Sequence, residues 1–235
     1  MALMTTSGSG LIFTACWVAV IAAAALCVGP RLEGRISLRR IPAAGWALWL
    51  AVALPSALQI LLPAIYEALY RDSAAVLQDL QWWRVATALV VQDGGIAGTL
   101  SNLVVLAIAL MACLPLWGTR ATVLAFVGVG VALNVAAVLL GAQDGAGNSG
   151  ATLPLIASLP PFCLAVASGN RLRPIIGSAI TLVAGVLLLA TNDAHGYAIL
   201  IGFLLGILGM PYARSRQRRG LVPAETPPRD LRADT

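Results

Sequence analysis

Seven stretches of this chain carry no charged side chain over a length close to that of a membrane crossing. They are Leu11 to Gly29, Ala43 to Tyr66, Gly95 to Trp117, Ala121 to Gly141, Gly150 to Ser168, Pro174 to Thr191 and Ala194 to Met210. About 20 helical residues, rising about 1.5 Å each, cross the roughly 30 Å of hydrocarbon in a bilayer. The runs are continuous rather than alternating apolar and polar, which selects helices over barrel strands. With 59% hydrophobic residues and a mean hydropathy of +0.88, a chain of 235 residues has more apolar surface than a soluble domain can bury. The expected fold class is all-α, a polytopic bundle of seven transmembrane helices.

All 15 basic residues are Arg, and they fall unevenly between the connecting segments. Thirteen lie in segments 30–42, 118–120, 169–173 and the C-terminal tail, against Arg71 and Arg84 in the alternate loops. The positive-inside rule then places the N-terminus outside and the C-terminus in the cytoplasm of a multi-pass protein of the cell membrane. Glu67, Asp72, Asp79, Asp93, Asp144 and Asp193 fall on the outer side. The net charge of +5 follows from this arrangement and from "RSRQRR" (Arg214 to Arg219), placed to touch anionic lipid, so no nucleic-acid partner is implied. The chain divides into an anchor helix with an Arg-rich loop (1–42), a membrane core (43–212) and a basic tail expected to be disordered (213–235).

Cys16, Cys27, Cys113 and Cys163 lie inside apolar runs, without the C-x-x-C spacing of a zinc or redox site. They read as packing residues, and no cofactor or metal is expected. Charged side chains are missing from the middle of every run, which argues against an ion-coupled transporter.

Chemistry is concentrated in three polar residues on the outer side. "GNSG" places Ser149 between Gly147 and Gly150 at the mouth of an apolar run, where the structural alternative is a turn with a serine cap. His195, the only histidine, opens the last run, and Asn102 lies about 10 Å down its own helix from the same side. A serine hydroxyl becomes a useful nucleophile when a neighbouring base takes its proton, and neutral imidazole is the usual base near pH 7. The oxyanion formed by attack on a carbonyl needs preorganised donors, and the Ser149 backbone N–H and the Asn102 amide are the candidates. Asn102 also has a purely structural reading, as an interhelical hydrogen bond. Gly202 and Gly206 follow His195 on nearly the same helix face, forming a small-xxx-small surface that admits a close neighbour.

In order and membrane side, these residues resemble the rhomboid intramembrane serine proteases over about Ala43 to Met210. The resemblance rests on "WWR" (Trp82 to Arg84) in the first outer loop, "LSN" with Asn102, "GNSG" with Ser149, and "AH" with His195. It implies a six-helix core preceded by one added helix, and a Ser149–His195 dyad without an acidic third member. It also implies Asn102 in the oxyanion hole, with Trp83 and Arg84 shaping the outer loop, and transmembrane segments of other proteins as substrates. Three departures stand out. Gly98 replaces a histidine that the family uses as a second oxyanion donor, so Gly98→His is expected to raise turnover if that donor limits the rate. Pro154, Pro160 and Pro161 interrupt the serine helix. Leu153 replaces the aromatic residue that packs on the histidine. An inactive rhomboid-like protein that binds membrane helices is the alternative function.

Overall fold

The computed structural model describes residues 10–32 and 41–225. The arginines at 35, 39 and 40 and the tail from 226 onward lie outside the described residues. Eleven helices follow one another among the described residues: α1 (Leu11–Leu32), α2 (Ala43–Leu61), α3 (Pro63–Leu69), α4 (Ser73–Gln78), α5 (Arg84–Thr87), α6 (Gly95–Trp117), α7 (Thr119–Leu139), α8 (Ser149–Ala165), α9 (Leu172–Ala190), α10 (His195–Leu208) and α11 (Met210–Arg218). No strand is present among these residues, so the fold is all-α.

Five helices, α1, α2, α6, α7 and α9, are long and apolar enough to cross a membrane, consistent with a multi-pass membrane protein. Helices α10 and α11 pass the same test together, bent by 48°. At the bend a Cβ on Gly209 meets the Trp117 ring, so the glycine makes room for the indole. The run read as Ala43 to Tyr66 is not one helix. It stops at Leu61 and restarts at Pro63, whose missing N–H suits the first turn of α3. Part of the tail expected to be disordered is ordered, because α11 extends to Arg218. Arg216 donates to the Leu116 carbonyl at 2.8 Å and Tyr212 to the Trp117 carbonyl at 2.9 Å, tying α11 to the end of α6.

Helix α8 is the central rod. It touches α1, α6, α7, α9, α10 and α11, and every residue from Ala151 to Cys163 is buried. A helix enclosed on all sides needs no polar face, which explains its uniform apolarity. Its three prolines sit inside an unbroken helix. Its buried hydroxyl at Ser158 donates to the Leu155 carbonyl at 2.7 Å and accepts from the Trp117 indole at 3.0 Å. The outward faces of the surrounding helices carry exposed leucine and valine, including Leu54, Leu124, Val183 and Leu204. Helix α1 does not stand apart from this core. It packs along α9 and reaches α8, and Cys27 lies where a Cβ on Gly177 of α9 would fall.

Candidate active site

The loop that leads to Ser149 is fastened to the segment between α3 and α6 before its helix begins. Arg71 and Gly145 exchange backbone hydrogen bonds at 3.0 and 3.2 Å, and the Gly147 N–H donates to the Ala88 carbonyl at 2.9 Å. Asp144 accepts from the Ser73 N–H and hydroxyl, and Asp93 accepts from the Ala146 N–H at 2.8 Å. Gly147 has φ +139°, a conformation that side chains disfavour. A Cβ there would also stand 3.6 Å from the Asn102 Nδ2 and 3.8 Å from the Ser149 Oγ, inside the space between the two groups. Gly150 has no such restriction, because its Cβ would meet only Leu133 at 4.0 Å.

Ser149 opens α8 and His195 opens α10, so both side chains project at the same end of the bundle. The Ser149 Oγ lies 3.1 Å from the His195 Nε2. The other ring nitrogen, Nδ1, lies 2.7 Å from the Asp193 Oδ1, and the same oxygen accepts the His195 backbone N–H at 2.9 Å. The family resemblance implies a dyad without an acidic third member, whereas here a carboxylate contacts the second ring nitrogen. Asp193 was legible only as an outer acidic residue. A carboxylate two residues before a helix-opening histidine, following Asn192 at φ +59°, is the local signal for the contact. Burial pushes the Asp193 carboxyl up, but the imidazole hydrogen bond, the imidazolium charge and the His195 N–H together hold it below the ordinary carboxylate value.

The aromatic neighbour of the histidine comes from an unexpected element. Leu153 is buried in α8, and the ring on His195 is Phe13 of α1, with centroids 4.8 Å apart and planes inclined at 56°. The added helix thus forms part of the site.

Asn102 faces the same space and is held there. Its Nδ2 donates one hydrogen to the Gln92 Oε1 at 2.8 Å, leaving the second for another acceptor. Gln92 is 2% exposed and is itself clamped. Its backbone N–H and carbonyl pair with the Gln59 side-chain amide at 2.8 and 2.7 Å, and its Nε2 donates to the Ser56 Oγ at 3.1 Å. Its Oε1 also accepts the Asn148 N–H at 3.2 Å, linking the amide to the residue before the nucleophile. Gln92 was not singled out from sequence, because a glutamine before an apolar run has no distinguishing pattern. The Ser149 N–H, in the first turn of α8, has no carbonyl partner within its own helix. Gly98 cannot simply exchange for histidine, since its Cβ falls on the Asp93 carbonyl oxygen.

Gly202 and Gly206 set the distance between α10 and α8. A Cβ on Gly202 falls on the Pro154 backbone, and one on Gly206 stands 2.5 Å from the Ser158 carbonyl oxygen. Trp83 and Arg84 lie away from the reacting groups. Arg84 donates to the Glu67 and Tyr70 carbonyls at 3.0 Å each, stacks over the Tyr70 ring and pins the end of α3, while Trp83 is exposed. A cavity of about 1390 Å³ joins Ser149, Gly147, Asn102, Gly98, His195 and Phe13. Among the described residues no group of His, Cys, Asp and Glu is arranged to hold a metal ion. Compared with protein-family models, with curated proteins and with solved structures, the chain matches none.

Proposed function

We propose that this chain is a rhomboid-like intramembrane serine endopeptidase that cleaves transmembrane segments of other membrane proteins near the outer membrane face. The observation that carries the reading is the 3.1 Å contact between the Ser149 hydroxyl and the sole imidazole, beside a cavity lined by the Asn102 amide. In the proposed topology the chain crosses seven times, α8 being a short crossing, with the N-terminus outside and the C-terminus in the cytoplasm.

The chemistry runs in two halves. The Ser149 Oγ attacks a peptide carbonyl carbon as its proton passes to the His195 Nε2, and the carbonyl π electrons move onto oxygen. The Asn102 Nδ2–H and the Ser149 N–H donate to that oxyanion. Collapse breaks the C–N bond, His195 returns its proton to the leaving amine, and an acyl-serine remains. Water then attacks the ester with the same imidazole as base, releasing the acid and restoring the hydroxyl. A substrate helix must unwind to expose a carbonyl, so segments with helix-breaking residues near the cut are favoured.

Covalent labelling tests the reading. A fluorophosphonate is expected to label the detergent-solubilised protein, and Ser149→Ala to abolish labelling. Equal labelling of that variant refutes Ser149 as the nucleophile. The alternative, an inactive protein that binds membrane helices, is favoured by the glycine at 98, which supplies no side-chain donor. It requires no labelling of the folded wild-type protein at all.

A further inference from the structure

We propose that Asp193 is a positioning residue that completes a Ser149–His195–Asp193 relay, holding the imidazole proton on Nδ1 and leaving Nε2 bare to receive the serine proton. For its chemistry this rests on the serine-protease reading above, but its geometry stands alone.

Three observations carry it. The Asp193 Oδ1 lies 2.7 Å from the His195 Nδ1, the short range of a charge-assisted bond. The Asp193 side chain is 9% exposed, so water screens the contact little. The carboxylate is also aimed by its own backbone. Asn192 takes a left-handed turn at φ +59°, and the Asp193 N–H then bonds the Leu188 carbonyl at 2.9 Å, which turns residue 193 back under the start of α10.

An ionised carboxylate only accepts hydrogen bonds. Facing Nδ1, it therefore requires the neutral ring to carry its proton on that nitrogen. Nε2 then presents its lone pair to the Ser149 Oγ, the one arrangement in which the imidazole can act as base. When the serine proton arrives, the imidazolium faces an anion at contact distance. No other ionised group does this work. On α1 the titratable side chains are Cys16, Cys27 and Arg31, and none of them bonds the ring. On α8 the group facing His195 is the hydroxyl of Ser149, and on α9 the only ionisable residue, Arg173, lies in the first turn of that helix, whereas His195 follows its last. Elsewhere around the cavity are Arg71, Asp93, Asp144, Tyr66 and Tyr197, and none of these bonds the ring among the described residues.

A single histidine makes the test direct, because every imidazole signal from the chain belongs to His195. The full chain, labelled with ¹⁵N-histidine and held in detergent or nanodiscs, is examined by NMR above the pH at which the ring deprotonates. The expected result is a protonated Nδ1 with a far-downfield, slowly exchanging proton and a bare Nε2, the reverse of the tautomer that free histidine favours. An Nε2–H tautomer, or rapid averaging between the two, overturns the proposal. This readout needs no catalysis. A correct tautomer without fluorophosphonate labelling leaves the relay standing and removes the protease reading.

Two variants separate positioning from helix capping. Asp193→Ser retains a side-chain acceptor for the His195 N–H but has no carboxylate. Asp193→Asn is nearly isosteric and uncharged. Both are expected to lose the Nδ1–H signal and to slow fluorophosphonate labelling by about 10³- to 10⁴-fold, in line with loss of the acid in the serine-protease template. Wild-type tautomer and labelling rate in Asp193→Ser overturn the proposal and reduce Asp193 to a cap.

Discussion

Replacing Gly202 with alanine tests whether close packing of α10 on α8 holds the catalytic pair together. The added Cβ lands on the Pro154 backbone, 2.8 Å from its carbonyl carbon and nearer still to its Cα and oxygen. Carbon atoms in contact rest about 3.5–4.0 Å apart, so the two helices must part by about 1 Å. Backbone atoms give way only with their whole helix. Helix α10 is also seated by Gly206 on the Ser158 carbonyl and by Gly196, where a Cβ would stand 2.8 Å from the Gly185 carbonyl oxygen, which opposes hinging at position 202. A shift of that size takes the imidazole from 3.1 Å to about 4 Å from the hydroxyl, beyond hydrogen-bond reach.

Misplacement by about 1 Å lowers catalytic rates by about a hundredfold, equivalent to about 2.7 kcal/mol on the barrier. Stability changes less. Overpacking costs about 1–3 kcal/mol, offset in part by the roughly 0.5–1 kcal/mol that alanine gains over glycine inside a helix. The two readouts must therefore separate: fluorophosphonate labelling slows about a hundredfold at a temperature where Gly202→Ala remains folded by thermal melting. Gly128→Ala on α7 is the control, because nothing lies within 4 Å of its Cβ. It should label at the wild-type rate and melt no lower. A Gly202→Ala protein that behaves like this control refutes the packing argument.

Other groups of the site give separable outcomes. Asn102→Ala should lower the labelling rate by about 10²- to 10³-fold, and Gln92→Ala, which removes the acceptor that holds the Asn102 amide, should lower it less without weakening probe binding. Gly98→His, which sequence alone recommends as a gain, should instead destabilise the protein and slow labelling, since its Cβ displaces the Asp93 carbonyl; faster labelling overturns this. Phe13→Ala removes the ring on His195 and should slow labelling by up to about tenfold, the equivalent of about 0.5–1.5 kcal/mol for an aromatic pair. The Asp193 carboxyl is held below its ordinary value, so its contribution to stability is complete above about pH 4 and is lost as pH falls through the lower folded value. Melting temperatures of wild type and Asp193→Asn should thus converge as pH falls below about 4.

The helical class and the meeting of Ser149 with His195 were legible because both rest on one-dimensional signals. Uncharged runs mark the helices, and arginine bias assigns Ser149 and His195 to one side. Gly202 and Gly206 were legible by helical periodicity, since residues about 100° apart per step return to one face. Other features depended on what the fold brings near. The break at Leu62 follows from Pro63, which apolarity alone does not reveal. Phe13 is far from His195 in sequence, and its role exists only because α1 packs along α9 and α8. Gln92 acts through Gln59 and Ser56, residues that share a face of α2 but are invisible as partners until α2 meets the loop before α6. Asp193 was masked for another reason. Acidic residues in outer loops are expected for topology alone, so its position two residues before His195 carried no extra weight.

The three departures from the rhomboid pattern have different physical standing once the neighbours are known. The prolines of α8 do not break the helix, and Pro154 supplies the backbone surface on which Gly202 rests. The aromatic missing at residue 153 is replaced from α1, so that helix bears on the site directly. The donor missing at residue 98 is not supplied by Gln92, which does not line the cavity. In the proposed mechanism oxyanion stabilisation falls to Asn102 and the Ser149 N–H, while Asp193 strengthens the base side of the reaction. If the chain is the proposed peptidase, it loses transition-state stabilisation at the oxygen and regains some at the imidazole. Its rate should accordingly be more sensitive to Asp193 than that of an enzyme relying on a serine and histidine alone.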